Sequence, residues 1–154
     1  MQMDQIQSEL DGRGDRVREH TPQLVTRRID DLTRSTVDQA IRQGREAVTH
    51  RLDELDHEWD VDRALMVHFA VLGGATFLAG VLRTPRRRVF GRSPSGLLYL
   101  FATQLGFLFM HGVVGWCPPA SLFRRLGFRT SREIETERRV LDNALASTEL
   151  AVGH

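Results

Sequence analysis

Hydrophobic residues recur along this chain in three regimes, and each predicts a different kind of helix. The first covers residues 22–59. There Leu24, Val25, Ile29 and Leu32, and later Val48, Leu52, Leu55 and Trp59, are separated mostly by steps of three and four, with charges between them. That is the period of an amphipathic helix, and Thr21 before Pro22 offers an N-cap with proline at the first helical position. The spacing therefore predicts one long helix over 22–59. Ile41, Val48 and Leu55 lie seven apart, but the first half drifts off that register and puts Arg34 and Arg45 at core positions, so a long regular coiled coil is not expected. A lone helix cannot bury such a stripe, which asks for a sister copy, another segment of the chain or a membrane surface. Balanced charge weighs against an anionic lipid surface, and self-association or a protein partner through residues 24–59 is the expectation.

The second regime is apolar on every face. Residues 64–82, ALMVHFAVLGGATFLAGVL, run nineteen positions without a formal charge; at about 1.5 Å per residue they reach roughly 28 Å, enough to cross a bilayer. A second uncharged run covers 96–117, GLLYLFATQLGFLFMHGVVGWC. Between them RTPRRRVFGRSPS holds five arginines with Pro85, Gly91 and Pro94, a turn. The fold class expected is all-α: a two-helix transmembrane hairpin, domain 60–132, flanked by amphipathic helices. A soluble helical hairpin would need a shell of other helices that the rest of the chain barely supplies. Small residues recur in both runs, and Gly73, Gly80, Ala102 and Gly106 are the expected contacts where the two helices pack.

The third regime follows Cys117. Pro118 and Pro119 should end the second span by withholding amide donors. ASLFRRLGF then reads as a short interfacial helix with Leu122, Phe123, Leu126 and Phe128 beside Arg124 and Arg125. Thr130 to Glu133 has the capping-box pattern and opens a C-terminal amphipathic helix, residues 133–154, that frays from Ser147. Residues 1–21 are polar, broken by Gly12 and Gly14, and read as a flexible tail.

Composition changes this picture little. The chain has 21 basic and 20 acidic residues for a net charge of +1, so no field favours nucleic acid, and nucleic-acid binding is not expected. All of the basic residues are arginine, as in proteins from GC-rich genomes. The N-terminus has no apolar stretch of signal-peptide type, so the first apolar run must act as its own internal signal. One cysteine excludes an intrachain disulfide and a multi-cysteine zinc site. There is no phosphate-binding glycine loop, nucleophile elbow or paired-carboxylate pocket, and no catalytic residue, cofactor or metal is expected.

The candidate chemistry lies in and around the hairpin. Cys117 is a possible functional thiol, able to carry persulfide, ligate metal or be acylated, or else a small residue fitting a tight helix end. His68, His111 and Gln104 form a possible intramembrane polar site, since ionisable groups there are functional candidates by default. In an antiparallel hairpin the two histidines would lie at similar depth, and Gln104 is expected to make one interhelical hydrogen bond.

Asp62 and Arg63 ahead of the first run, with Gly115, Cys117 and Pro118 of GWCPPASLFRRLGFRT after the second, resemble the YgaP-like inner-membrane-protein family of paired transmembrane helices, over residues 60–132. That resemblance implies a bacterial inner-membrane hairpin with cytoplasmic termini. Relatives carry a rhodanese sulfurtransferase domain, which has no counterpart in these residues. Counting arginines near the spans, Arg45, Arg51, Arg63, Arg124, Arg125, Arg129 and Arg132 face Arg83, Arg86, Arg87, Arg88 and Arg92 in the loop, nearly a tie. The expected role is a non-catalytic anchor or assembly subunit; the alternative is a membrane carrier or thiol-handling component using Cys117.

Overall fold

The computed structural model describes residues 14–83 and 96–152, so the expected tail over 1–13 and the turn of the arginine loop lie outside the described residues. Among the described residues there are seven helices and no strand: α1 Arg16–Glu19, α2 Gln23–Gln43, α3 Arg45–His57, α4 Val61–Arg83, α5 Gly96–Val114, α6 Pro118–Arg125 and α7 Ser131–Val152. The chain is all-α, and α4 and α5 are long and apolar enough to cross a membrane.

The single long helix expected over 22–59 is two helices. Gly44 adopts φ +96, a left-handed conformation that L side chains rarely adopt. The chain breaks there, and Thr36 and Gln39 of α2 face His50 and Glu54 of α3 across one shared groove. The drift in register at Arg45 was the trace of this break. Folding back gives the stripe a partner within the chain: Val37, Ala40, Val48 and Leu55 form one buried cluster with Ile134, Val140 and Leu141 of α7. A second copy is therefore not needed to cover these positions. Leu24 and Leu32 remain exposed.

The expected tail is also ordered from Gly14 onward. Asp15 caps α1 by accepting from the Arg18 amide at 2.9 Å, and Val17 is buried in a second cluster with Val61, Leu65, Phe69, Cys117 and Ala120. Thr21 does not cap α2, whose first residue follows Pro22. Its hydroxyl donates to Val17 O at 2.7 Å instead.

The hairpin is antiparallel: Asp62 lies beside His111, Thr76 beside Gln104 and Gly80 beside Leu98. At its base the Val61 amide donates to Arg129 O at 2.9 Å. Asp60 accepts from the Arg63 amide at 2.7 Å and from Ser131 Oγ at 2.7 Å, so one carboxylate caps α4 and ties it to the start of α7. The prolines do not end α5. That helix stops at Val114, and Gly115 turns the chain with φ +77, where a Cβ would meet Arg16 at 3.0 Å. Pro118 and Pro119 open α6 instead, at positions where a missing amide costs nothing. The last helix runs to Val152 rather than fraying from Ser147.

Candidate functional site

Inside the hairpin the expected polar contact forms. Gln104 is buried, and its Nε2 donates to Thr76 Oγ1 at 3.2 Å and toward Leu100 O at 3.4 Å. The Thr76 hydroxyl has already been spent on Leu72 O at 2.8 Å, as helical threonines commonly do. Thr76 is the partner that sequence reading missed. Gly73 and Gly80 face α5 as expected: a Cβ at Gly73 would touch Phe101 at 3.7 Å, and one at Gly80 would lie 2.9 Å from Leu98 Cγ. Ala102 and Gly106 do not. Ala102 is exposed, and a Cβ at Gly106 would meet nothing within 4 Å, so this small pair points away from α4.

The two histidines are not brought together. His111 Nε2 lies 3.0 Å from Asp62 Oδ1 across the base of the hairpin. The His68 ring packs edge-on against Phe69 and Phe123, with centroids 5.5 and 5.6 Å away. Asp62 begins α4 while His68 lies nearly two turns along it, which is why a shared depth with His111 fails. Cys117 has no exposed surface and packs with Val61, Leu65 and Ala120. Burial pushes its thiol above the ordinary range; a backbone contact from Ala120 offsets this in part, and the nearby Asp62 charge adds to it. Such a sulfur is held as the neutral thiol away from solvent, the opposite of a reactive cysteine. Among the described residues no three His, Cys, Asp or Glu side chains converge as a metal site would require.

No protein-family model, no curated protein and no solved structure matches this chain. The family resemblance thus rests on Asp62, Arg63, Gly115, Cys117 and Pro118 alone, and the geometry must carry the functional argument.

What dominates that geometry is a set of buried charges below the hairpin. Arg124, expected to lie at the membrane surface, is wholly buried. Its guanidinium meets Glu133 in a two-pronged pair at 2.6 and 2.7 Å, and its Nε donates to Thr21 Oγ1 at 3.2 Å. Glu133 also accepts from Arg18 at 2.7 Å, and Arg18 grips Asp30 with two bonds of 2.8 Å. The capping box is present within this set: Glu133 accepts from the Thr130 amide at 2.9 Å, and the Glu133 amide reaches back to Thr130 Oγ1 at 3.3 Å. One turn along α7, the buried Glu137 takes Arg129 and Arg51, and Arg129 also holds Glu58 through two bonds of 2.6 Å.

Two sets of ion pairs result, Arg18 and Arg124 with Asp30 and Glu133, and Arg51 and Arg129 with Glu54, Glu58 and Glu137, drawn from α1, α2, α3, the end of α6 with the turn after it, and α7. Burial alone would push the Glu133 carboxyl up, but the hydrogen bond and charge of Arg124 outweigh it and hold the group below the ordinary glutamate range. Burial would likewise depress Arg18, yet hydrogen bonds and attraction from Asp30 and Glu133 leave it above the ordinary arginine value. Each of these carboxylates is occupied by arginine, which leaves none poised as a base. The arrangement is a clamp: bidentate pairs fix the orientation of five segments at once. Its partners lie far apart in sequence, Arg18 from Glu133 by 115 positions, and no local pattern could have announced it.

Proposed function

We propose that the protein is a non-catalytic integral membrane protein in which the α4–α5 hairpin lies in a bilayer and holds a clamped bundle of charged helices at its surface. One observation carries this reading. Of the most apolar stretch of α4 only 28% is buried within the chain, and of that in α5 only 6%. A core helix of a water-soluble protein would be covered by its neighbours, whereas these helices expose Val71, Phe77, Leu105 and Phe109 on open faces. Aromatic residues support the reading. Trp59 and Trp116 lie at the base, with Arg63 stacked 4.8 Å over the Trp59 ring, and Tyr99 is exposed toward the opposite end. Tyr99 lies about 22 Å of helical rise from the end of α5 at Val114, just before Trp116, so aromatic residues stand near both ends of this helix.

The finer reading is a bacterial inner membrane with both termini in the cytoplasm and the arginine loop outside. It is supported by the resemblance to the YgaP-like family and by the folding of the segments before α4 and after α5 into one unit at the same end of the hairpin. The role that follows is that of an anchor or assembly subunit. A thiol carrier would require an accessible sulfur, and Cys117 is buried, with burial disfavouring its thiolate. The test is extraction from membranes: detergent should release the protein, and alkaline carbonate or high salt should leave it in the pellet. Release by carbonate would contradict the reading.

A further inference from the structure

The first half of α2 and the turn after α6 enclose a groove of about 500 Å³, within the size range of small-ligand sites, roughly 300–1,000 Å³. Its walls are apolar where Leu24, Leu32 and Leu126 line it, and these leucines are 80%, 59% and 67% exposed. Five arginines line it and no acidic residue does. Arg51, Arg124 and Arg129 are neutralised from behind by the clamp carboxylates. Arg28 and Arg125 are exposed, and among the described residues neither has an ion-pair partner. The groove therefore offers two uncommitted guanidinium groups beside three leucines. Its α6 residues, Arg124 and Arg125, belong to the helix that follows α5 after a three-residue turn.

We infer that this groove binds one anionic phospholipid of the bilayer, with Arg28 and Arg125 on its phosphate and Leu24, Leu32 and Leu126 along the first carbons of its chains. Charge complementarity selects this occupant: a zwitterionic headgroup brings a cation to a site that holds no carboxylate, while an anionic one brings only the charge that the two arginines lack. Apolar walls beside a basic rim match a lipid at the depth where headgroup meets chain. The mean charge balance along α2 conceals this, since Asp30 faces Arg18 within the clamp while Arg28 lines the groove.

The inference rests on the membrane reading for its choice of ligand, and the experiment separates the two. Purified full-length protein in a neutral detergent is titrated with short-chain phosphatidylglycerol or phosphatidylcholine of matched chains, and bound lipid is counted by native mass spectrometry. One phosphatidylglycerol should bind in preference, and R28Q/R125Q should weaken it roughly tenfold to thirtyfold while helicity by circular dichroism stays unchanged. L24E, at an exposed position, should weaken it as well. The control R27Q/R42Q removes the same charge away from the groove and should bind as the parent does. Equal binding of the two lipids, or equal losses in R28Q/R125Q and R27Q/R42Q, would overturn the proposal. Since no bilayer is present, that result would leave the carbonate extraction to judge the hairpin separately.

Discussion

The hairpin and the helical unit at its base solve opposite problems. In α4 and α5 many apolar side chains lie outside, and the contact between the helices includes Gly73, Gly80, the Gln104–Thr76 bond, the Phe77–Phe101 ring pair and, at the base, the Asp62–His111 contact. In the base the charged side chains lie inside: Arg124 and Glu137 are completely buried, while Leu24, Leu122 and Leu126 face outward. Desolvating a charge costs several kcal/mol and is recovered only with good geometry and complete hydrogen bonding. The base meets that condition with two-pronged pairs. The hairpin has no water to escape from if it lies in lipid, so close backbone approach replaces hydrophobic burial as its cohesive force. One chain thus holds together by two different kinds of interaction, and they should fail under different perturbations.

The largest effect is expected in the clamp. Glu133→Ala leaves Arg124 buried without its partner and removes the reciprocal cap on α7, for a loss of about 3–5 kcal/mol; thermal melting in detergent should show α1, α2, α3 and α7 loosening first. Acid should do the same. The Glu133 carboxyl is held below the ordinary range, so its contribution is complete above that range and is lost as pH falls through its folded value. Helicity of the base should therefore drop in acid while the hairpin, which among the described residues has no arginine–carboxylate pair between its helices, keeps its own. Equal acid sensitivity of both regions would remove the contrast.

A smaller effect is expected in the hairpin from Gly80→Ala. The added methyl would lie 2.9 Å from Leu98 Cγ and 3.3 Å from its backbone nitrogen, so the helices must separate, at about 1–3 kcal/mol. Gly106→Ala, with open space around it, should change the melting of the hairpin little. Comparable losses from the two would show that the packing face is wrongly assigned. Smaller still is Gln104→Leu. The bond to Thr76 is worth about 0.6 kcal/mol in a membrane protein, and the Gln104 Oε1, buried without a partner, is removed along with it. Cys117 should report on the junction: at pH 8 its alkylation in detergent should be about tenfold or more slower than after denaturation, because buried neutral thiols react poorly. Rapid labelling of the folded protein would revive a role for the sulfur.

Much of the hairpin was legible because lipid-facing helices need an unbroken apolar run, and such a run is a local property. The expected spans of 64–82 and 96–117 differ from Val61–Arg83 and Gly96–Val114 mainly at the ends. There Asp60 caps α4 earlier than the first uncharged residue, and Gly115 stops α5 before the prolines. The capping box was legible for the same reason, and Gln104 stood out as a polar residue inside such a run, though its partner Thr76 did not. The base was not. Gly44 lay inside a run of helical periodicity, and its effect depends on α7 being present to receive both halves of the stripe. Arg124 beside Leu122 and Phe123 reads locally as an arginine at a membrane surface; Glu133 from the next helix and Thr21 from a distant segment make it a buried partner.

The central claim is that α4 and α5 lie in hydrocarbon while the clamped unit stays in water. It is tested most directly by spin labels placed singly at Val71, Leu105 and Phe109 in the hairpin and at Arg138 in α7, on a Cys117→Ala background reconstituted into liposomes. The account predicts that the three hairpin labels collide readily with dissolved oxygen and scarcely with a water-soluble nickel chelate, and that the label at 138 does the reverse. Nickel accessibility at all four positions would contradict it.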